Sequence, residues 1–214
     1  MARRMFSIST RSLPMVAGAA VLLGTAAPSL AQYVWSGGGG DRRWSTSANW
    51  TVLGVPLPNG LYPSGLLATA SIPGGYKVEL DVSVTMAQVT IETLSCLHVS
   101  AGKTIADASF AGDGTLDNCG SVKAALRTVQ FGPSLALADT PGFNRWVASG
   151  LTATLKFNRA FTGESALSGD FAVSIGGTLN FQASVTTAGD YNGTNASVIT
   201  APGVTFIYSG GQCP

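Results

Sequence analysis

The sequence predicts an all-β protein, with right-handed parallel β-solenoid rungs behind an N-terminal cap. Short β-branched runs recur between Val78 and Ile105, and turn residues separate them every few positions. Their spacing is close to one coil's length, as in folds that stack similar rungs. The chain has 27 glycines and only 11% charged residues, which favours strands and tight turns. The side chains expected to point inward are Leu80, Val89, Ile91, Leu97, Val99, Ile105 and Leu116.

Residues 1–31 have the three parts of a secretory signal peptide. Three arginines precede an apolar run at 13–24, and small residues lead to a cleavage point after Ala31. The apolar run is too short for a comfortable membrane span. We therefore expect an exported protein, extracellular or on the cell surface, with the periplasm as the alternative. The choice between general and twin-arginine export stays open.

Removal of this leader changes the charge. Nine Lys and Arg remain against eleven Asp and Glu, so the formal net charge falls from +1 to −2. No basic patch stands out, which argues against nucleic acid as a partner. The remaining 183 residues are enough for one domain with a real core, or for two small ones.

Residues 32–76 differ from the rungs, predicted at 77–123, in being rich in Trp, Gly and Pro. Three indole rings so close in sequence must bury a large apolar area. We expect them to form a cap on the first rung, because the open end of a solenoid needs a cover. The alternative is an aromatic platform that binds sugar rings. The residues concerned are Trp35, Trp44 and Trp50.

Three motifs open the predicted mature chain: Tyr33-Val34-Trp35-Ser36-Gly37-Gly38-Gly39-Gly40-Asp41, Trp44-Ser45-Thr46-Ser47-Ala48-Asn49-Trp50 and Gly54-Val55-Pro56. They resemble the opening motifs of bacterial secreted β-solenoid proteins, including large surface and autotransporter-type passenger proteins. The resemblance covers about 33–123 well and implies architecture far more than activity. This chain departs from the autotransporter plan in having no room for a C-terminal membrane barrel, and its cysteines are unexpected there.

The second half of the chain is less regular. Residues 124–149 read as an irregular bridge, with a possible helical turn at 124–130, and residues 150–214 as a further β-rich part. The sequences around Asp170 and Asp190 repeat after twenty residues, as a rung would, although an antiparallel β-sandwich for this half stays open. Stacked carboxylates there would suit Ca²⁺, but a Gly-Asp pair before a strand is more typical of a turn.

Three cysteines in an exported chain predict one disulfide and one remaining thiol. The segment at 93–99 can be aligned with 115–122, which places Cys96 and Cys119 23 positions apart. If that offset is one rung, the two residues lie on adjacent strands within reach of a disulfide. Cys213 is then the unpaired cysteine. Either the strand at 204–208 docks a second copy that Cys213 can bond covalently, or this strand pairs internally and Cys213 belongs to a terminal tail.

No convincing catalytic arrangement is visible. His98 is the only histidine, so a Ser-His-Asp triad or most zinc sites would have to use it. Cys96 and His98 share one strand face, but no third or fourth metal ligand is apparent. We expect a non-catalytic structural or adhesive protein of the cell surface or matrix, with itself or a surface polysaccharide as partner and no cofactor. The alternative is a carbohydrate-active enzyme or glycan-binding module resembling β-helical polysaccharide lyases, with acidic turns and basic groups at Lys123, Arg127 and Arg145.

Overall fold

The computed structural model describes residues 32–138, 145–158, 170–174, 176–187, 191–193, 197–208 and 212–213. The predicted signal peptide at 1–31 lies outside these residues. Within the described part the chain is all-β, as predicted, and its only helical element is a 3₁₀ turn at Ser47–Asn49. None of its helices is long and apolar enough to span a membrane.

Twenty-three short strands make up the described part of the chain. The first three are β1 (Gln32–Trp35), β2 (Trp50–Val52) and β3 (Val55–Pro56). The next twelve are β4 (Thr69–Ile72), β5 (Lys77–Leu80), β6 (Val84–Thr85), β7 (Gln88–Ile91), β8 (Cys96–Val99), β9 (Thr104–Ala106), β10 (Ser109–Gly112), β11 (Thr115–Asn118), β12 (Ser121–Ala124), β13 (Thr128–Phe131), β14 (Ala136–Ala138) and β15 (Arg145–Ser149). The last eight are β16 (Thr154–Phe157), β17 (Asp170–Ser174), β18 (Thr178–Phe181), β19 (Val185–Thr187), β20 (Tyr191–Gly193), β21 (Ser197–Thr200), β22 (Phe206–Tyr208) and β23 (Gln212–Cys213).

These strands wind into a parallel β-solenoid of about five turns. From β4 onward consecutive strands enter different sheets, so a strand pairs with its counterpart in the next turn. We name the sheets by their strand order. Sheet A is β21-β18-β16-β13-β10-β7-β4-β1-β2-β3, sheet B is β14-β11-β8-β5, sheet C is β23-β20-β17-β15-β12-β9-β6, and sheet D is β19-β22.

The core runs through the middle of the coil, because alternate residues of each strand point inward. The seven side chains predicted to point inward are all fully buried, and this prediction is confirmed. Further along, phenylalanines stack from one turn to the next. Phe131 lies between two such rings, with centroid distances of 5.5 Å to Phe110 and 4.7 Å to Phe157. The stack continues through Phe181.

The second half of the chain continues the solenoid. Residues 124–149, expected as an irregular bridge, contribute β13, β14 and β15, and the helical turn expected at 124–130 is wrong. Every described strand from β13 onward pairs in parallel, so the antiparallel sandwich is wrong too. Phe171 pairs with Tyr191, which confirms the twenty-residue rung.

Residues 32–68 cover the N-terminal end of the coil. On sheet A, β1, β2 and β3 form an antiparallel extension that ends at Pro56, a residue with no N–H to offer a neighbour. On sheet B, the backbone of Arg43 forms an isolated parallel β-bridge with Glu79, at the outer edge of β5. The Trp44 N–H donates to the Glu79 carbonyl at 2.8 Å, and the Glu79 N–H donates to the Arg42 carbonyl at 2.7 Å. On sheet C, the Gly65 N–H donates to the Thr85 carbonyl of β6 at 2.6 Å. Covered edges do not pair with other chains.

The other end of the solenoid is different. Among the described residues, β21 has a neighbour on one side only, namely β18. All four residues of β21 are exposed, and Val198 and Ile199 keep 41% and 49% of their surface in contact with solvent. The strand predicted at 204–208 pairs internally, as β22 with β19.

Candidate functional site

The three clustered tryptophans lie in the core beneath the cap. Trp44 and Trp50 are fully buried and Trp35 is 2% exposed. Trp44 donates its indole N–H to the Pro63 carbonyl at 2.9 Å, and Trp50 donates to the Trp44 carbonyl at 2.8 Å. A sugar ring needs an open aromatic face to stack on. The aromatic platform is therefore wrong at these positions, and burial agrees with the expected role as a cap.

Hydrogen bonds inside the cap explain why the opening motif contains Gly39, Asp41 and Asn49 as well as tryptophans. Asn49 is fully buried, its amide donates to Asp41 Oδ1 at 2.6 Å, and its Oδ1 accepts the Gly39 N–H at 2.8 Å. Gly39 has no room for a side chain, because a Cβ there would lie 2.6 Å from the Thr46 methyl group. The Asn49 amide also donates to the Arg43 carbonyl at 3.1 Å, so these contacts constrain the backbone next to Trp44 and Trp50, a role that the sequence did not reveal.

The charge of Asp41 is stabilised by this arrangement. Burial on its own would raise the pKa of the Asp41 carboxyl group. Hydrogen-bond donors and a positive charge outweigh that effect and hold the pKa below its ordinary value of 3.8: the Thr46 hydroxyl, the Arg43 N–H, the Asn49 amide and the Arg43 guanidinium.

The predicted calcium ligands fall largely outside the described part of the chain. Asp190 lies outside it, and of Asp170 only the backbone pairing with Arg145 is described. The Ca²⁺ site therefore stays a prediction. Asp113 accepts a 2.6 Å hydrogen bond from the Thr93 hydroxyl. Asp117 lies within β11.

The outer face of sheet B carries a row of polar side chains in register. Glu79 on β5, His98 on β8 and Asp117 on β11 occupy the same position on neighbouring strands. Lys77 and Cys96 form the next pair along. Each step is 19 residues, whereas the alignment of the two cysteines assumed a step of 23.

This register corrects the alignment behind the predicted disulfide. Cys96 pairs with Thr115, four residues before Cys119, and both thiols are free. Four residues of extended strand span about 13 Å. A disulfide requires Cα atoms within roughly 7 Å, so a Cys96–Cys119 bond would need the backbone to shift. Cys213 pairs through its backbone with Asn192, and its side chain lies outside the described part.

A histidine, a carboxylate and a thiol meet on this face. His98 Nδ1 donates to Asp117 Oδ2 at 2.8 Å, and Cys119 Sγ lies 3.9 Å from the same nitrogen. The three ligand atoms all lie within 4.8 Å of one another. In a catalytic triad the nucleophile and the carboxylate address opposite imidazole nitrogens. Here both approach Nδ1, so the group is not a catalytic triad.

A shallow cavity of about 390 Å³ opens beside this group. Its lining mixes charges of both signs, and its members are Arg42, Lys77, Val78, Glu79, Cys96, His98 and Asp117. Burial raises the pKa of the Cys96 thiol above its ordinary value of 9.0, and the negative charge of Asp117 adds to this while Lys77 opposes it. Cys96 is thus held as a neutral thiol at neutral pH.

Comparisons with family models, with curated proteins and with solved structures found no match to this chain.

Proposed function

We propose that this protein is an exported, non-catalytic component of the cell surface or extracellular matrix, with a structural or adhesive role, and that it associates with a second copy of itself. The difference between the two ends of the solenoid carries this proposal. At the N-terminal end the edges of sheets A, B and C are covered. At the other end, among the residues that the structure describes, β21 has no neighbour on one side and holds apolar side chains in solvent.

Uncovered strand edges recruit further strands, because each has N–H and C=O groups in position for pairing. Head-to-tail stacking would require the N-terminal end to accept a strand. There the terminal strand β3 is two residues long and contains Pro56. We therefore expect two copies to meet through their β21 edges in a closed two-fold dimer rather than an open filament.

Two exposed apolar side chains also favour β21 as the interface between the two copies. Val198 and Ile199 are neighbours in β21, and their side chains lie on opposite faces of the strand. Both are more than 40% exposed. Pairing through β21 would shield part of both side chains and satisfy the unpaired backbone groups at once.

Export and surface location are tested first. Cells that express the full chain are fractionated, and intact cells are treated with an external protease. We expect the protein to lack residues 1–31, to appear outside the cytoplasm, and to be accessible to the protease. Uncleaved protein that stays in the cytoplasm would contradict the proposal.

One observation favours glycan binding as a second candidate function. The cavity on sheet B places Arg42 and Lys77 beside Glu79 and His98, a set that can bind the carboxylate and hydroxyl groups of an acidic polysaccharide. Under this alternative, glycan-array binding is lost in Lys77→Ala and kept in Lys156→Ala, which changes a lysine on sheet A. Binding that is equal in both variants, or absent from the wild type, would remove this candidate.

A further inference from the structure

The side chains of His98, Asp117 and Cys119 combine three different metal-ligating atoms in one small volume. The imidazole nitrogen and carboxylate oxygen are 2.8 Å apart, the nitrogen and sulfur 3.9 Å apart, and no pair exceeds 4.8 Å. Ligand atoms on one tetrahedral zinc lie about 3.3–3.7 Å apart, given bonds of about 2.0–2.3 Å. Side-chain movements of about 1 Å bring the three atoms to that spacing.

We propose that His98 Nδ1, Asp117 Oδ2 and Cys119 Sγ bind one Zn²⁺ ion, with the fourth coordination position open to water or another ligand. This site is independent of the proposed function. A nitrogen, an oxygen and a thiolate sulfur suit zinc, whereas Ca²⁺ and Mg²⁺ require oxygen ligands. One carboxylate and one thiolate balance the two positive charges of the ion, so the bound site is electrically neutral.

The fold fixes the positions of all three ligands. His98 lies on β8 between Leu97 and Val99, which are fully buried, so its side chain must point outward. Asp117 is held in register by β11. Cys119 is positioned by its N–H, which donates to the Val99 carbonyl at 2.9 Å.

A buried amide shapes the turn that carries Cys119. Asn118 is fully buried, its Oδ1 accepts the Gly120 N–H at 3.2 Å, and its Nδ2 donates to the Arg145 carbonyl at 3.2 Å. A Cβ at Gly120 would collide with the carbonyls of Ser100 and Lys103. The backbone on both sides of the thiol is therefore constrained.

The Asp117 carboxylate gives independent support. Its Oδ1 is buried and has no hydrogen-bond donor among the described residues. A buried carboxylate that lacks a donor on one oxygen is costly to keep charged, and a cation bound at the other oxygen, Oδ2, would compensate that negative charge. The Asp117 side chain is 22% exposed and that of His98 is 39% exposed, so an ion from solvent can reach the site.

Binding has a defined proton balance. The Cys119 sulfur loses its proton to solvent when it bonds to zinc. The neutral imidazole keeps one proton, which moves from Nδ1 to Nε2 as the His98–Asp117 hydrogen bond is replaced by two metal bonds. Binding to the neutral imidazole therefore releases one proton per ion. A disulfide at Cys119 would remove one ligand, so the site and the disulfide exclude each other.

The test uses the purified exported protein with Co²⁺ as a spectroscopic probe and Zn²⁺ as competitor. We expect one Co²⁺ per chain, with visible bands typical of tetrahedral cobalt and a thiolate-to-metal charge-transfer band, both abolished by one equivalent of Zn²⁺ and unaffected by Ca²⁺. The charge-transfer band is lost in Cys119→Ser. Affinity falls at least tenfold in His98→Gln and Asp117→Ala.

Matched controls keep the test specific. Cys96→Ser changes the neighbouring thiol, and Asp113→Asn changes a carboxylate outside the cluster; both should bind Co²⁺ like the wild type. Circular dichroism confirms that each variant is folded. Absence of a charge-transfer band in the wild type, its persistence in Cys119→Ser, its loss in Cys96→Ser, or a protein isolated without a free thiol at Cys119 would each overturn the proposal. An octahedral Co²⁺ spectrum would overturn it as well.

Discussion

His98 and Asp117 share one register position on β8 and β11, and the 2.8 Å hydrogen bond between Nδ1 and Oδ2 follows from that pairing. Their separation of 19 residues is also the separation of Glu79 from His98 and of Lys77 from Cys96. In a solenoid, residues separated by one full turn of the coil lie on adjacent strands, so their side chains are neighbours on the same sheet. The row of polar side chains on the outer face of sheet B follows directly from this stacking of turns.

The aromatic stack is expected to be a major source of stability. Phe131 is 1% exposed and lies between Phe110 and Phe157, so Phe131→Ala leaves a cavity in a close-packed core. We expect the free energy of unfolding to fall by about 3–5 kcal/mol. Urea denaturation measures the change. Leu126→Ala is the control, since Leu126 is 63% exposed. Equal losses in the two variants would contradict the stacked core.

The cap is expected to depend on Asn49. Replacing it with alanine removes the acceptor for the Gly39 N–H and the donor to Asp41. Loss of these buried hydrogen bonds should lower the free energy of unfolding by about 1–3 kcal/mol. The same change at exposed Gln130 should have little effect. If Asn49→Ala leaves the free energy of unfolding unchanged, the opening motif does not stabilise the cap through Asn49.

Asp41 predicts a pH-dependent contribution to stability. Its pKa is lower in the folded protein than the ordinary 3.8, so the folded state favours the ionised form. The resulting stabilisation is present above that ordinary value and is lost as the pH falls through the folded pKa. The stability difference between wild type and Asp41→Asn should therefore be largest near neutral pH and should shrink below pH 3.8. Thermal unfolding at several pH values measures it, and a difference that grows on acidification would contradict the prediction.

Strand alternation was readable from the sequence, and exact register was not. The pattern around Leu97 and Val99 identified the inward face, because period-two burial leaves a direct trace in the residue types. Register depends on loop length, which varies: Thr154 pairs with Thr178 after 24 residues, and Thr178 with Ser197 after 19. A varying period blurs repeats, so the second half looked irregular.

The cluster of His98, Asp117 and Cys119 on sheet B could not be predicted from the sequence, because its prediction depends on the strand register. His98 was visible as the only histidine, but Asp117 and Cys119 become its neighbours only through pairing across strands. The match between Cys96 and Cys119 at 23 positions was a resemblance of residue types without a matching register. The tryptophans of the cap were easier, because three large apolar rings close in sequence require burial wherever they lie.

Self-association is measured most directly by size-exclusion chromatography with light scattering on the protein without residues 1–31, over a range of concentrations and with reductant present. We expect a dimer, with twice the mass of the monomer, that dissociates on dilution. Ile199→Lys should be monomeric, because a charge on β21 blocks edge pairing. Leu151→Lys, which changes a leucine 86% exposed elsewhere on the coil, should remain a dimer. A wild type that stays monomeric at high concentration, or an Ile199→Lys variant that dimerises as the wild type does, would contradict association through β21.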